Sequence, residues 1–345
     1  MLDRRTTFAS FTLALTLACD PGGSAAPVPE PVPEFPEADW LAAGTPVAAF
    51  GQLRTSGKQM VSESGEPTRL RGVSSMWLNW ETDGYAQSRD ALEWMRDNWQ
   101  ISVIRAAMGV EPDGAYLSNP ALAEEQVRAI VDAAIELGLY VLIDWHDHNA
   151  LDHQAQAEEF FEKMATDYGE YPNVLYEPFN EPLAVDWSRQ LKPYHEAVVA
   201  RIRAVDPDNI IVLGTPTWCQ DVDAAAQDPV SGENLMYTLH FYACSHGATG
   251  RNKGSAALGR GLPLFVTEWG ATGADGGVAD PAVCDSEADE WHQWMRLHLV
   301  SWAAWKLDGC TDASCLLRAG APLSGGWTDE WLQGHGPYVR EKLLE

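Results

Sequence analysis

Two glutamates stand out because each closes an apolar, strand-like run. Asn180-Glu181-Pro182 follows residues 173–179, and Thr267-Glu268-Trp269-Gly270 follows residues 263–266. Breaking a glycosidic bond takes two carboxyl groups, one on each side of it. If both runs are strands of one sheet, Glu181 and Glu268 meet at the same mouth although they lie far apart along the chain. The chemistry expected of such a pair is glycoside cleavage with retention, one group acting as nucleophile and the other as acid and then base.

The elements that must position this pair repeat along the chain. Short runs rich in β-branched residues fall at 70–74, 102–106, 140–144, 174–177, 210–213, 236–240, 264–267 and 300–304. Helix-like stretches separate most of them. Residues 121–137 place Val127, Ile130, Val131, Ala134 and Ile135 at a helical period, and 158–168 and 194–204 read the same way. Eight strands about thirty residues apart, mostly separated by helices, predict an α/β fold, a (β/α)8 TIM barrel. Runs at 52–56 and 60–63, turning at Gly57, predict a short N-terminal β-hairpin ahead of it. A doubly wound open sheet is the competing fold; it is disfavoured because no strand is followed by a glycine-rich phosphate turn.

In such barrels the active site lies at the C-terminal strand ends. Those ends carry, in order, Arg105, His146, Asn180 with Glu181, His240 with Tyr242, Glu268 and Trp305. Packing alone gives no reason to gather polar and aromatic groups at one end. Glu177 ends a run too. A regular strand would put Glu177, Phe179 and Glu181 on one face and separate the two glutamates by about 13 Å. Glu177 is therefore expected deep in the barrel as a buried, hydrogen-bonded structural group.

The chain has 345 residues, 46% of them hydrophobic, enough for one large core. Its formal net charge of −27, from 50 acidic and 23 basic residues, argues against nucleic-acid binding, which needs Lys and Arg against phosphates. It fits an exported protein acting on a neutral polymer. Fifteen tryptophans lean the same way, because flat indole faces stack on sugar rings. Trp94, Trp99, Trp291 and Trp294 fall in helix-like stretches and are expected to pack.

Arg4 and Arg5, an apolar run at 8–18 and then Cys19 have the shape of a signal peptide, too short to span a membrane permanently. Leu17-Ala18-Cys19 resembles a bacterial lipobox, whose Cys is lipidated, although Thr16 stands where Leu is usual; cleavage without lipidation is the alternative. Residues 20–44 form a Pro-rich linker, and 45–345 are expected to be the catalytic domain. The product is then a lipoprotein at the cell surface or in the periplasm, or a secreted protein. Cys310 and Cys315 are close enough in sequence to staple one loop, Cys244 with Cys284 is a plausible second bridge, and Cys219 is left as a sheltered thiol. His146-Asp147-His148 with His153 could be read as a metal cluster, but no metal is expected. His195, His292, His298 and His335 are expected on the surface or in the packing.

The strand ends also carry a resemblance. From Arg71 to about Leu317 the chain resembles bacterial endo-β-1,4-glucanases of glycoside hydrolase family 5, the cellulase A family. The blocks that carry it are Leu70-Arg71-Gly72-Val73-Ser74-Ser75, Val103-Ile104-Arg105-Ala106-Ala107-Met108, Ile143-Asp144-Trp145-His146-Asp147-His148-Asn149, Phe179-Asn180-Glu181-Pro182, Gly214-Thr215-Pro216-Thr217-Trp218, Leu239-His240-Phe241-Tyr242 and Val266-Thr267-Glu268-Trp269-Gly270.

The resemblance implies Glu181 as general acid/base and Glu268 as nucleophile, with Arg105 and Tyr242 favouring the charged form of Glu268. The charge of Glu268 is expected to raise the pKa of Glu181. The resemblance further implies Asn180 at the sugar 2-hydroxyl, His146 and His240 near the cleavage point, Trp305 under the reacting sugar, Trp80 one sugar further on, and Trp218 on the leaving-group side. It implies no cofactor, and a monomer is expected. Cellulose and related β-glucans are the expected substrates, with an endo-β-mannanase, a xyloglucanase or a non-catalytic glucan-binding protein as alternatives. No separate carbohydrate-binding module is expected.

The chain also departs from the family. Met76 and Trp77 stand where a His and a Gly are common, Ala304 and Lys306 replace an Asn and a Ser, and Asp308-Gly309-Cys310 replaces a loop that often carries a sugar contact.

Overall fold

The computed structural model describes residues 44–81 and 83–345. The signal-peptide and lipobox segment, and all of the Pro-rich linker but Gly44, lie outside the described residues. Among the described residues, no helix is long and apolar enough to cross a membrane.

A hairpin, β1 (Arg54–Ser56) and β2 (Gln59–Val61), precedes eight parallel strands. These are β3 (Arg71–Ser75), β4 (Val103–Gly109), β5 (Tyr140–His146), β6 (Val174–Glu177), β7 (Ile211–Leu213), β8 (Leu235–Tyr242), β9 (Leu264–Gly270) and β10 (Ser301–Leu307). They close in sequence order, with β10 pairing β3. The predicted barrel and hairpin are both present. Closure requires close approach between strands: a Cβ on Gly72 would sit 1.7 Å from the Val103 carbonyl oxygen.

Strand alternation sorts side chains into two cores. Val141, Ile143 and Trp145 of β5 face the helices, while Tyr140 and Leu142 face the barrel axis. The axial layer also holds Leu70, Val103, Leu175, Val212, Met236 and Phe265, and Met60 of the hairpin packs against it. The hairpin thus plugs the N-terminal end, and a side chain such as Met60 gains roughly 1.5–3 kcal/mol from this burial. Outside, the helix Pro120–Leu137 starts with proline in its first turn and stops at Gly138, whose φ of 65° is the left-handed conformation that ends helices. Its buried face carries Val127, Ile130, Val131, Ala134 and Ile135.

Several strands run further than their apolar runs. β4 continues to Gly109, β5 to His146, β8 to Tyr242 and β10 to Leu307. The polar groups at these ends stay in the ladder, so the barrel itself orients them.

Candidate active site

Above the axial layer the same inward-facing positions turn polar. On β4, Val103 is followed two residues on by Arg105, and on β5, Leu142 is followed by Asp144 and His146. The guanidinium of Arg105 is the hub. Nε donates to Glu177 Oε2 (2.7 Å), Nη1 to Glu268 Oε2 (2.9 Å) and Nη2 to Asn180 Oδ1 (2.6 Å). Nη2 also lies 2.9 Å from Asp144 Oδ2. Three carboxylates around one fully buried cation hold it in its charged form. In the same cluster burial is the leading cause that pushes both Asp144 and Glu177 up to about 7, with Arg105 opposing.

Two local irregularities build the rest. The ladder of β6 ends at Glu177, because Pro178 has no N–H to continue it. Beyond it Phe179 packs in the helix-facing core, while Asn180 and Glu181 serve the barrel mouth. The expectation that Glu177, Phe179 and Glu181 share a face is therefore corrected. Strand β9 carries a bulge: Thr238 and His240 of β8 pair with Phe265 and Glu268, two steps against three. β10 shows the same offset, Trp302 and Ala304 pairing with Val266 and Trp269. As a result both Thr267 and Glu268 present polar atoms to the interior network, as bulges beside active sites commonly arrange.

The two glutamates converge. Glu181, Glu268 and His240 each bring an atom within 4.8 Å of the others. Glu268 accepts hydrogen bonds from Tyr242 Oη (2.7 Å) and Arg105. Glu181 is held differently, with His240 Nδ1 at 2.9 Å and His148 Nε2 at 3.3 Å. Burial pushes the Glu181 carboxyl up, but these two hydrogen bonds outweigh it and hold the group well below the usual carboxylate range. The sequence-based expectation of a raised pKa fails, because two imidazoles face this carboxylate as well as Glu268. His240 and His148 move up in return, overcoming the downward effect of burial.

Asn180 uses its amide oxygen on Arg105, and among the described residues its buried Nδ2 has no partner, leaving a donor to spare. His146 lies with Nδ1 2.6 Å from Asp144 Oδ2, and burial together with the charge of Arg105 holds it well below its ordinary value. The ring is then neutral, donates from Nδ1 and keeps an acceptor at Nε2. It stacks on Trp305 at 5.2 Å and 6°, and Trp77 meets its edge at 4.3 Å. Trp80, half exposed, lies 4.8 Å from Trp77.

Trp218 is 43% exposed on a turn in which Thr217, Trp218 and Cys219 all have positive φ. That turn is strapped to the Glu181 segment: Trp218 N donates to the Pro182 carbonyl, Thr217 N to that of Leu183, and Cys219 Sγ to that of Asn180.

With this geometry in hand, comparison with known proteins is direct. The cellulase model of glycosyl hydrolase family 5 matches residues 61–310. The chain belongs to glycosyl hydrolase family 5. It is 41% identical over 297 residues to an endoglucanase of Clostridium saccharobutylicum, covering 85% of this chain and 65% of that protein. It is 46% identical over 265 residues to endoglucanase Z of Dickeya dadantii, covering 76% and 61%. This family 5 chain thus spans less than two thirds of the length of these curated relatives. Among solved structures, the catalytic domain of a Thermobifida fusca endoglucanase, in complex with cellotetraose, is 30% identical with a TM-score of 0.81, covering 87% of this chain and 100% of that one.

Every strand-end residue singled out in the sequence lies on this one network or beside it; Trp80 and Trp218, which lie outside the strands, are further out. The possible metal cluster does not converge as one set. His146 turns to Asp144 and His148 to Glu181, while His153 Nδ1 lies 2.8 Å from Asp147 Oδ2 and those two gather with Glu111. Both expected disulfides are formed, Cys244–Cys284 and Cys310–Cys315, and Cys219 is free and buried. Sequence reasoning missed His148 and Thr267 as members of the site. Alternation from Asp144 and His146 could have found His148. Nothing in the sequence marks the bulge that brings in Thr267.

Proposed function

We propose that this family 5 chain is a retaining, endo-acting glycoside hydrolase that cuts internal β-1,4-glucosidic bonds of cellulose and related β-glucans without a cofactor. The observation that carries the reading is the proximity of Glu181 and Glu268, each with an oxygen within 4.8 Å of the other. Retaining enzymes hold their carboxyl groups ~5–5.5 Å apart, whereas inverting ones leave room for a water between them.

Glu268, fixed by Tyr242 and Arg105, attacks the anomeric carbon while Glu181 protonates the departing oxygen. Glu181 then activates the water that releases the sugar. The free Nδ2 of Asn180 donates to the 2-hydroxyl, and neutral His146 accepts from a second sugar hydroxyl at Nε2. Trp305 supplies a floor for the reacting sugar, Trp80 for a sugar further towards the non-reducing end, and Trp218 for the leaving side.

We read residues 1–19 as an export signal with lipid attachment at Cys19, 20–44 as a spacer and 45–345 as the catalytic domain. Support for this export reading comes from the Arg pair, the apolar run and the Leu-Ala-Cys motif.

The test is release of reducing ends from carboxymethyl cellulose, mixed-linkage glucan, mannan and xyloglucan by the wild type and Glu268→Gln. The wild type should act on the first two and the variant on none. Equal background release by both would overturn the catalytic reading, and a mannan or xyloglucan preference would overturn the substrate.

A further inference from the structure

The barrel has a second polar feature, at the end away from Glu181 and Glu268. Arg71 opens β3 and Arg69 stands two residues before it. Pairing with the next strand fixes Arg71: its N–H donates to Ser102 Oγ at 2.7 Å, and its carbonyl accepts from Ser102 N at 2.7 Å. Both arginine side chains are partly buried and line one cleft of about 330 Å³, whose other walls include Pro46, Phe50, Gln100 and Ile101. Ser74, further along β3, touches Arg105 of the catalytic network. Three residues separate Ser74 from Arg71, or roughly 10 Å along the strand.

Among the described residues, neither guanidinium has a hydrogen bond or an ion pair. Arg96, on the same cleft, is satisfied: Nε lies 2.7 Å from Asp97 Oδ1, and Nη1 donates to the Leu137 carbonyl at 3.0 Å. Burial first, and then the charges of Arg71 and Arg296, lower the pKa of Arg69; burial lowers that of Arg71. Glu345 is the acid whose charge opposes this at both, but its Oε1 is already held by Lys342 Nζ at 2.7 Å. Two like charges drawn partly out of water without counter-ions are costly. Yet the chain has 50 acidic residues against 23 basic ones, and none of those described is bonded to this pair. A cleft that keeps two arginines bare amid so many acids suits an anion from outside.

We propose that Arg69 and Arg71 bind the oxyanion of an acidic sugar, a carboxylate or a phosphate ester, at the end of the barrel opposite the catalytic mouth. Each guanidinium offers a planar fork of N–H donors that matches a carboxylate or phosphate at two points, and two forks bracket one such group. Pro46, Phe50 and Ile101 supply an apolar wall for the C–H face of the sugar ring, and the Gln100 amide serves a hydroxyl. The volume is that of a small ligand pocket and takes one sugar unit. The site shares no residue with the Glu181–Glu268 network, so it adds recognition to the protein without entering its chemistry. A uronic acid and a sugar phosphate are the two sources of such a group.

The test is calorimetric titration of the wild type, Arg69→Gln, Arg71→Gln and Arg71→Lys with glucuronate and glucose 1-phosphate. Glucose and inorganic phosphate are the controls, and hydrolysis of hydroxyethyl cellulose, an uncharged substrate, is followed in parallel. At low salt the wild type should bind at least one sugar anion at one site, tenfold or more tighter than glucose and threefold or more tighter than inorganic phosphate. The tighter of the two sugar anions names the source. Raising the salt to 0.3 M should weaken binding severalfold. Each glutamine variant should lose at least tenfold, and Arg71→Lys, which keeps the charge but not the fork, at least threefold. At ten times its Kd the ligand should raise the wild-type Tm by about 3 °C and leave the glutamine variants unmoved. Hydrolysis should be unchanged by the ligand and by all three substitutions.

Absence of binding to the wild type, equal affinity for glucose, or undiminished binding by the glutamine variants would overturn the site. Inorganic phosphate binding as tightly as either sugar anion would overturn the part given to the ring. Inhibition of hydrolysis by the bound ligand would place it at the catalytic mouth and overturn the proposal as well. Should one glutamine variant not fold, the other carries the same comparison.

Discussion

Replacing Arg105 separates what its charge does from what its shape does. In Arg105→Met, Asp144, Glu177 and Glu268 lose a cation that lies 2.7–2.9 Å from each. Removing one partner of a buried ion pair costs about 3–5 kcal/mol, a large part of the 5–15 kcal/mol that holds a typical domain. Some of that cost can be relieved by proton uptake. Burial already pushes Asp144 and Glu177 up to about 7, and Arg105 is the main group opposing it. Without Arg105 both must rise further, each added unit being worth about 1.4 kcal/mol. A carboxyl whose folded pKa exceeds its unfolded one stabilises the fold at low pH. That stability is lost as pH climbs from the unfolded value near 4 through the folded one. Arg105→Met should therefore melt closer to the wild type at pH 5 than at pH 8.

Arg105→Lys keeps the charge but not the fork. One ammonium cannot serve Glu177, Glu268, Asp144 and Asn180 together, so at least two charge-assisted bonds go. At about 1.5 kcal/mol each these amount to about 3 kcal/mol, or roughly a hundredfold in kcat/KM. Thermal melts across pH and steady-state kinetics on a soluble β-glucan are the assays. A lysine variant within threefold of wild type, or a methionine variant whose destabilisation ignores pH, would refute the idea that the guanidinium organises the site.

Two further outcomes follow from other parts of the fold. Cys244–Cys284 closes a loop of 40 residues and Cys310–Cys315 one of 5, so on loop-entropy grounds removing the first pair as a double serine variant should cost about 4 kcal/mol and the second about 2; denaturant midpoints showing the reverse order would contradict this. Burial lowers His195 and His335 to about 4 and His292 to about 3. The unfolded chain therefore takes up protons first, and stability falls as pH drops below 6.5, by about 2 kcal/mol per histidine at pH 5. His335 donates from Nε2 to the Ser314 carbonyl and accepts from Ala271 N at Nδ1. His335→Gln should keep both roles and flatten that acid slope; an unchanged slope would count against it.

The barrel was legible because buried parallel strands read as apolar, β-branched runs, and the site because the polar residues closing those runs share one end. What escaped was backbone irregularity. Nothing between Leu264 and Gly270 announces that three residues of β9 will oppose two of β8, since the bulge is fixed by both neighbours together. Parity misplaced Phe179 for a related reason: alternation holds only while the ladder holds, and Pro178 ends it. The state of Glu181 escaped differently. Its pKa depends on which imidazoles reach it, and the sequence marks His148 only as a possible metal ligand. Trp77 was visible as an intruder where glycine is usual. That it would lie between His146 and Trp80 required coordinates.

The bulge also unites the two halves of the proposed chemistry. A regular β9 could turn only one of Thr267 and Glu268 inward; with the extra residue, the same strand brings both the hydroxyl beside His240 and the carboxylate held by Arg105 and Tyr242 into the site. The contacts then run from Glu268 through Arg105, Glu177, Thr267 and His240 to Glu181, so one network holds both glutamates.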